Sequence, residues 1–249
     1  MQISAIVATY NREGILRRAI ESLLQQTLPN DAYEIIVVDN GSTDNTKILV
    51  EKLIADFPNH NLRYVFESER GSSSARNRGA REAHAQIIAF LDDDATATSS
   101  WLQCFIKGHA EYSQAGVIGG SIIPVYEGSR PPWLTLELDY TFAKLDYGNE
   151  PRVLNQQVVY EGNMSIRRDL FLAQGGFSVS LGRHGHDYIG HEGEALQRNL
   201  WKIRHATVYL PSALIWHHIY PERQKRAEVC KRWYGAGRTR VLRESLSEK

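Results

Sequence analysis

Cysteine is scarce, with Cys104 and Cys230 the two in 249 residues. That is too few for a disulfide framework or a zinc site, and it fits a reducing compartment. An excess of charge of one sign is also missing, because 29 basic residues balance 29 acidic ones. The chain as a whole therefore has no electrostatic footprint for nucleic acid. No window approaches the roughly 20 apolar residues that span a bilayer. The opening MQISAIVATYNREG has no basic region followed by a long apolar stretch, so no secretory signal is expected there. From these absences we expect a cytoplasmic protein, soluble or held peripherally at the inner face of a membrane. Two phosphate cradles are missing as well: there is no GxxxxGK(S/T), and no GxGxxG follows a strand.

What is present is ordinary for a globular protein, with 42% hydrophobic and 23% charged residues. The length suits one large domain or two small ones. ISAIVATY (3–10) is short, apolar and β-branched, and predicts a buried strand. Ile15, Leu16, Ala19, Ile20, Leu23 and Leu24 then recur at helical spacing. The pattern repeats: a strand in YEIIVVD, a helix through 48–57, a strand at 62–67, a small-residue helix within 71–85 and a strand at 86–91. Such alternation predicts an α/β fold, a mostly parallel Rossmann-like sheet with helices on both faces. Ligands collect at the carboxyl ends of strands in such sheets. The polar clusters TYNRE, DNGSTD, ESERGSSSARN and DDDATAT all fall there, so they should converge on one site.

Any one cluster has a plain explanation, because Asn-Gly and Ser-Thr-Asp are common turn and cap residues. Three adjacent aspartates, Asp92, Asp93 and Asp94, are harder to explain that way, since one cap needs one side chain. Hard divalent cations prefer carboxylate oxygens, and Mg2+ usually combines one or two carboxylates with substrate phosphates. With no phosphate cradle in the chain, a metal would have to neutralise much of any bound phosphate's charge.

In this arrangement the chain resembles the family 2 glycosyltransferases of the GT-A fold, which are inverting enzymes. The motifs are IVATYNRE, IIVVDNGSTDNT, GSSSARNRGA and IAFLDDDA, the last as an Asp-x-Asp motif. YEGNMSIRRDLFLAQGGF, GHEGEALQRN and VYLPSALIWHH follow in the family's order. The resemblance implies a UDP-sugar or related nucleotide-sugar donor and a saccharide or lipid-linked acceptor. It places Thr9, Asn11 and Asp39 at the nucleobase and ribose, Glu13 on the same donor-binding side, and Arg76 and Asn77 beside the nucleotide. Asp92 would face the ribose, and Asp94 would ligate Mn2+ or Mg2+ at the diphosphate. Alternation of side chains along an extended segment would turn Asp93 away, although it belongs to the same donor-side cluster. Gly162, Asn163 and His191 would lie on the acceptor side. His217 would complete the metal shell, with His218 as the alternative.

The family's acidic catalytic motif reads Glu-Asp in many members, and here it reads His191-Glu192. Glu192 is the candidate general base, with Glu194 second. On residues alone, both could be the acidic first turn of a helix. Two other readings compete. DDDAT also matches the Asp-x-Asp-x-Thr signature of haloacid dehalogenase-like phosphatases, but that family carries it on the first strand. A non-catalytic nucleotide-sugar-binding module would bind donor and metal without turnover.

The expected organisation is a nucleotide-sugar-binding part at 1–98, an acceptor-binding and catalytic half of the same domain at 99–220, and a helical tail at 221–249. Residues 99–113 read as helix, 115–126 as strand, 127–152 as irregular and aromatic, and 178–193 as a mobile loop beside the site. The tail has nine Lys/Arg against four Asp/Glu. It is either a solvated face or a contact for an anionic membrane surface.

Overall fold

The computed structural model describes residues 1–182 and 190–247. In the first half the chain runs β1 (Ile3–Thr9), α1 (Glu13–Leu24), β2 (Tyr33–Asp39), α2 (Thr46–Asp56), β3 (Leu62–Phe66), α3 (Ser72–Glu82) and β4 (Ile87–Asp92). β1 pairs in parallel with β2 and with β4, and β2 with β3. Every residue of β2 is buried, as a strand covered on both faces requires. α1 explains its own packing: Leu16, Ala19, Ile20, Leu23 and Leu24 are its buried residues, three or four apart on one face.

The second half comprises β5 (Ala95–Ala97), α4 (Trp101–Glu111), β6 (Ala115–Tyr126), β7 (Arg152–Leu154), β8 (Asn163–Arg167), α5 (Arg168–Ala173), α6 (Glu192–Lys202), β9 (Ala206–Ile219) and α7 (Arg226–Ser247). Here the sheet changes character. Its order is β3-β2-β1-β4-β8-β6-β9-β5, with β7 added on β9. β8 is antiparallel to both β4 and β6, whereas β6 and β9 are parallel. The α/β class and the parallel first half agree with the sequence. The segment expected to be irregular, 127–152, contains a 3-10 helix at Leu136–Phe142 and the first residue of β7 at its end. Part of the expected loop at 178–193, residues 183–189, lies outside the described residues. The loop's end differs from expectation, because α6 begins at Glu192.

One hydrophobic core runs through both halves. Trp101 and Phe105 of α4, Phe90 of β4, and Phe171 and Phe177 are almost wholly buried in it. Burying side chains of this size stabilises the fold by roughly 1.5–3 kcal/mol each. At Gly120 the strands β6 and β9 approach so closely that a Cβ would lie 1.8 Å from the Ala213 carbonyl oxygen. This is a position for glycine alone.

Candidate active site

The carboxyl ends of β1, β2 and β4 open into a cleft of about 690 Å3. Thr9 and Tyr10 reach it from the end of β1, and Asp92, Asp93 and Asp94 from the end of β4. Arg70, Ser72 and Arg76 come from the start of α3 and the loop before it. The far wall is built by Glu161, Glu192 and Arg223 with Glu228 and Arg232. A second, more apolar cavity of about 500 Å3 adjoins it, and the two share Asp92, Glu161, Arg223 and Arg232. Ile122, Tyr140, Phe142, Trp233, His191 and Glu194 are among its other lining residues.

Arg76 ties the two sides together. It donates to Asp92 Oδ1 at 2.7 Å and to Glu192 Oε1 at 3.1 Å. Burial alone would lower the guanidinium's proton affinity, but the carboxylates of Asp92, Glu192 and Glu161 outweigh it and raise the pKa. The Ser72 hydroxyl also donates to Glu192 Oε1, at 3.1 Å. Glu192 is buried, with 1% of its surface exposed. The first turn of α6 therefore places a carboxylate beside the Asp92 end of β4, across 116 residues from Arg76. Glu194, two residues along the same helix, accepts from Arg198 at 2.7 Å and lies 3.1 Å from His191 Nδ1. His191 has a φ of 93°, an unusual left-handed conformation for a non-glycine residue.

Gly162 has a structural reason. A Cβ there would lie 2.3 Å from Asp92 Oδ2, so only a bare backbone leaves room for that carboxylate. Asp93 differs from expectation. β4 ends at Asp92 and the chain turns, so strict alternation no longer applies. Its carboxylate lines the cleft and accepts from Thr9 Oγ1 at 2.8 Å. Burial, then the charge of Asp94, push its pKa up to about 6. For Asp94, burial works in the same direction, but Arg223 and His217 prevail and hold its pKa well below the usual carboxylate range.

The fold brings Asp94 and His217 together, with Oδ1 and Nε2 3.2 Å apart. His217 Nδ1 donates to the Phe142 carbonyl at 2.7 Å, which leaves Nε2 as the ring atom facing Asp94. A metal-binding imidazole is anchored in the same way, through its other ring nitrogen. No group of three or more His, Cys, Asp or Glu suited to a metal occurs among the described residues. Asp94 and His217 are two donors of kinds that divalent ions accept, so an ion held there would take its remaining ligands from phosphate oxygens and water. His218 is engaged elsewhere, with Nε2 2.9 Å from Thr96 Oγ1 and Nδ1 2.9 Å from Glu127.

Several expected donor-side residues lie outside the cleft lining. Asn11 accepts from the Thr43 N–H at 2.7 Å, and Glu13 from the Asn45 N–H at 2.8 Å, so both brace the loop after β2. Asp39 accepts from the Ser42 N–H and the Tyr64 hydroxyl, each at 2.8 Å. Asn77 exchanges two hydrogen bonds with the Phe177 backbone, a clamp between α3 and the segment after α5. On the acceptor side, Asn163 is fully buried; its amide N–H groups donate to Ser121 and Ala213 carbonyls, and its oxygen accepts from Trp101. At these five positions the side chain's hydrogen bonds are taken up by the protein itself. Residues the sequence did not single out are Tyr10, Arg12, Arg70, Glu161, Arg223 and Arg232. The Arg70 guanidinium lies 4.2 Å from the Tyr10 ring centre. Glu161 lines both cavities, within range of the Arg76 charge. The YEGN motif contains Glu161 in sequence, but nothing local marks Arg223.

The model of the family described as Glycosyl transferase family 2 matches residues 4–172. A glucosyl-dolichyl phosphate glucuronosyltransferase of Haloferax volcanii is 25% identical over 228 residues, which cover 90% of this chain and 71% of that protein. A validoxylamine A glucosyltransferase of Streptomyces hygroscopicus subsp. limoneus is 36% identical over 120 residues, 47% of this chain and 26% of that one. Among solved structures, a mannosyltransferase of Pyrobaculum calidifontis in complex with GDP-Man and Mn2+ superposes with a TM-score of 0.68 at 20% identity, covering 95% of this chain and 64% of that one. S. aureus TarS bound to UDP-GlcNAc gives a TM-score of 0.65 at 18% identity, over 88% of this chain and 59% of that one. This chain therefore spans less than two thirds of either solved protein. The shared architecture is the GT-A fold.

Proposed function

Because the chain belongs to glycosyl transferase family 2, matched over residues 4–172, we propose that it moves a sugar from a nucleoside-diphosphate donor to an acceptor hydroxyl with inversion. The observation that carries this is the Asp92–Arg76–Glu192 bridge, which sets a candidate base in the strand-end cleft, tied to an Asp92 that also lines the second cavity. The donor occupies the cleft at the strand ends, and the acceptor occupies the adjoining cavity. Glu192 takes the acceptor hydroxyl's proton as that oxygen attacks the sugar's anomeric carbon. The bond from that carbon to the diphosphate breaks in the same displacement, so no covalent sugar–enzyme intermediate forms. Mn2+ or Mg2+ held by Asp94 and His217 would supply Lewis-acid stabilisation of the leaving diphosphate.

UDP is our choice of nucleotide. Both UDP and GDP-linked sugars are named in the structural relatives. The acceptor is a saccharide or a lipid-linked sugar. The apolar walls of the second cavity support this, as does the dolichyl phosphate named in one relative. No helix among the described residues is long and apolar enough to cross a membrane. A lipid-linked acceptor would then be met at the surface, with the basic segment 221–249 as the contact. The functional division at 98/99 and 220/221 belongs to the same proposal.

The test is a panel of nucleotide-sugars with saccharide and lipid-linked acceptors, scored for nucleotide release with and without Mn2+. Acceptor-dependent release from at least one donor is expected. Donor binding without turnover would favour a binding module, and release of phosphate from a simple ester would favour a phosphatase.

A further inference from the structure

Arg223 lies on the 3-10 turn Pro221–Gln224, directly after the strand that carries His217. Its Nη1 donates to Asp94 Oδ2 and lies 3.4 Å from His217 Nε2. Asp94 Oδ1 faces the same imidazole nitrogen at 3.2 Å. With Nδ1 anchored on the Phe142 carbonyl, the Nε2 edge of the ring and the Asp94 carboxylate face one point, and the buried carboxylate calls for a cation there. Arg223 supplies that cation. The pair is almost dry, with the Arg223 and Asp94 side chains 13% and 6% exposed, so solvent screens it little.

The turn itself is pinned. Gln224 Nε2 donates to the Ile219 carbonyl at 2.8 Å and to the Glu127 carbonyl at 2.9 Å. A guanidinium displaced from Asp94 therefore leaves by side-chain rotation, with its Cα fixed beside both cavities.

We propose that Arg223 is a resident counter-cation of the Asp94–His217 pair, which a divalent ion must displace in order to bind. This rests on the assignment of those two residues as metal ligands. Arg223 keeps the pair neutralised and ordered in the metal-free protein, and it sets a threshold on metal loading. Once displaced, the guanidinium remains over the cleft, where the donor's diphosphate is a matched bidentate partner. Metal and donor then bind cooperatively, because each offers what the other's binding releases.

The experiment titrates Mn2+ calorimetrically into the full chain, with and without saturating UDP, for wild type, Arg223→Gln, Arg223→Lys and Arg223→Gln with Asp94→Asn. Arg223→Gln should bind Mn2+ roughly 10- to 100-fold more tightly than wild type, the factor one charge-assisted hydrogen bond is worth. Arg223→Lys, which keeps the charge, should stay near wild type. A gain of affinity is not what a damaged fold produces. UDP should narrow the difference by tightening Mn2+ binding more in wild type than in Arg223→Gln. Equal Mn2+ affinity in wild type and Arg223→Gln, at a site that Asp94→Asn abolishes, would overturn the exchange and leave the metal assignment standing. Mn2+ binding that survives Asp94→Asn would overturn both, as would no Mn2+ binding by any variant.

Discussion

The two halves of the molecule treat their polar residues differently. In the first half, strand-end side chains mostly bind neighbouring loops: Asn11 and Glu13 brace residues about 32 positions away, and Asp39 caps Ser42 three residues on. In the second half, the residues that reach the cleft bind across the molecule. Glu192 accepts from Ser72, 120 residues earlier, and Arg223 donates to Asp94, 129 residues earlier. The parallel half is a frame that largely satisfies itself. The mixed half closes that frame with charges whose partners lie on the other side. The proposed chemistry sits at the seam, and each half alone lacks a component of it.

The largest effect that could break this comparison is at Glu192. Glu192→Gln keeps size and hydrogen-bonding reach but removes proton affinity, so transfer should fall by something like 10²–10⁴-fold. UDP and Mn2+ affinity should stay near wild type, and the wild-type product should have inverted anomeric configuration. If Glu194→Gln or Glu161→Gln is the damaging change instead, the base shifts along the same seam. Loss of donor affinity in Glu192→Gln would show that the halves are not separable in this way.

Asp94→Asn should remove the Mn2+-dependent gain in donor affinity, while Asp93→Asn, whose carboxyl is held by Thr9, should be much milder. Isothermal titration of donor with and without Mn2+ measures both. Equal losses would mean that the turn after β4 presents the triplet differently.

A stability measurement probes the interior of the second half. His109 is 3% exposed on α4, its Nε2 lies 3.1 Å from Ser165 Oγ, and its pKa falls to about 4 through burial and then the nearby Arg167 charge. The unfolded chain takes up the imidazole's proton near pH 6.5 whereas the folded protein resists until about 4. Stability is thus full above pH 6.5 and is lost as pH falls through that window, by an amount of order 3 kcal/mol. In denaturant melts, wild type should lose stability between pH 6.5 and 4 that His109→Gln keeps, so the variant's profile is flatter over that window. Parallel profiles would assign the acid limb to other groups.

The smallest effect expected is at Asp39. If the nucleobase lies by the loop after β2, Asp39→Ala should weaken UDP and UDP-sugar alike, by about tenfold, because it frees Tyr64 and loosens that loop. Unchanged UDP affinity would shift attention to the shelf formed by Tyr10 and Arg70.

What was legible in the sequence follows the same division. β1 to β4 and their helices were readable because continuous apolar runs and 3.6-residue spacing are local signals. β5 and β7 have three residues each, too short for any period, and β8 runs straight into α5. The aspartate triplet and His191-Glu192 stood out as residue types in an ordered set of motifs. Asn77 and Asn163 looked polar enough to serve a ligand, but their partners are groups that only the tertiary fold brings near. Arg223 was invisible for the same reason: one cation in a basic tail carries no mark of the carboxylate it will meet.

The close approach of Gly162 to Asp92 limits how this protein could be re-engineered. The second cavity invites redesign, since most of its wall is apolar and changeable. Yet position 162 sits where that wall meets Asp92 of the strand-end cleft, and even an alanine there would press on the Asp92 carboxylate. Libraries aimed at the proposed acceptor cavity should therefore vary exposed positions such as Tyr140 or Trp233 and hold Gly162 constant. A selection that nevertheless accepted Gly162→Ala would have to recover the displaced carboxylate through a second change in the Arg76 bridge.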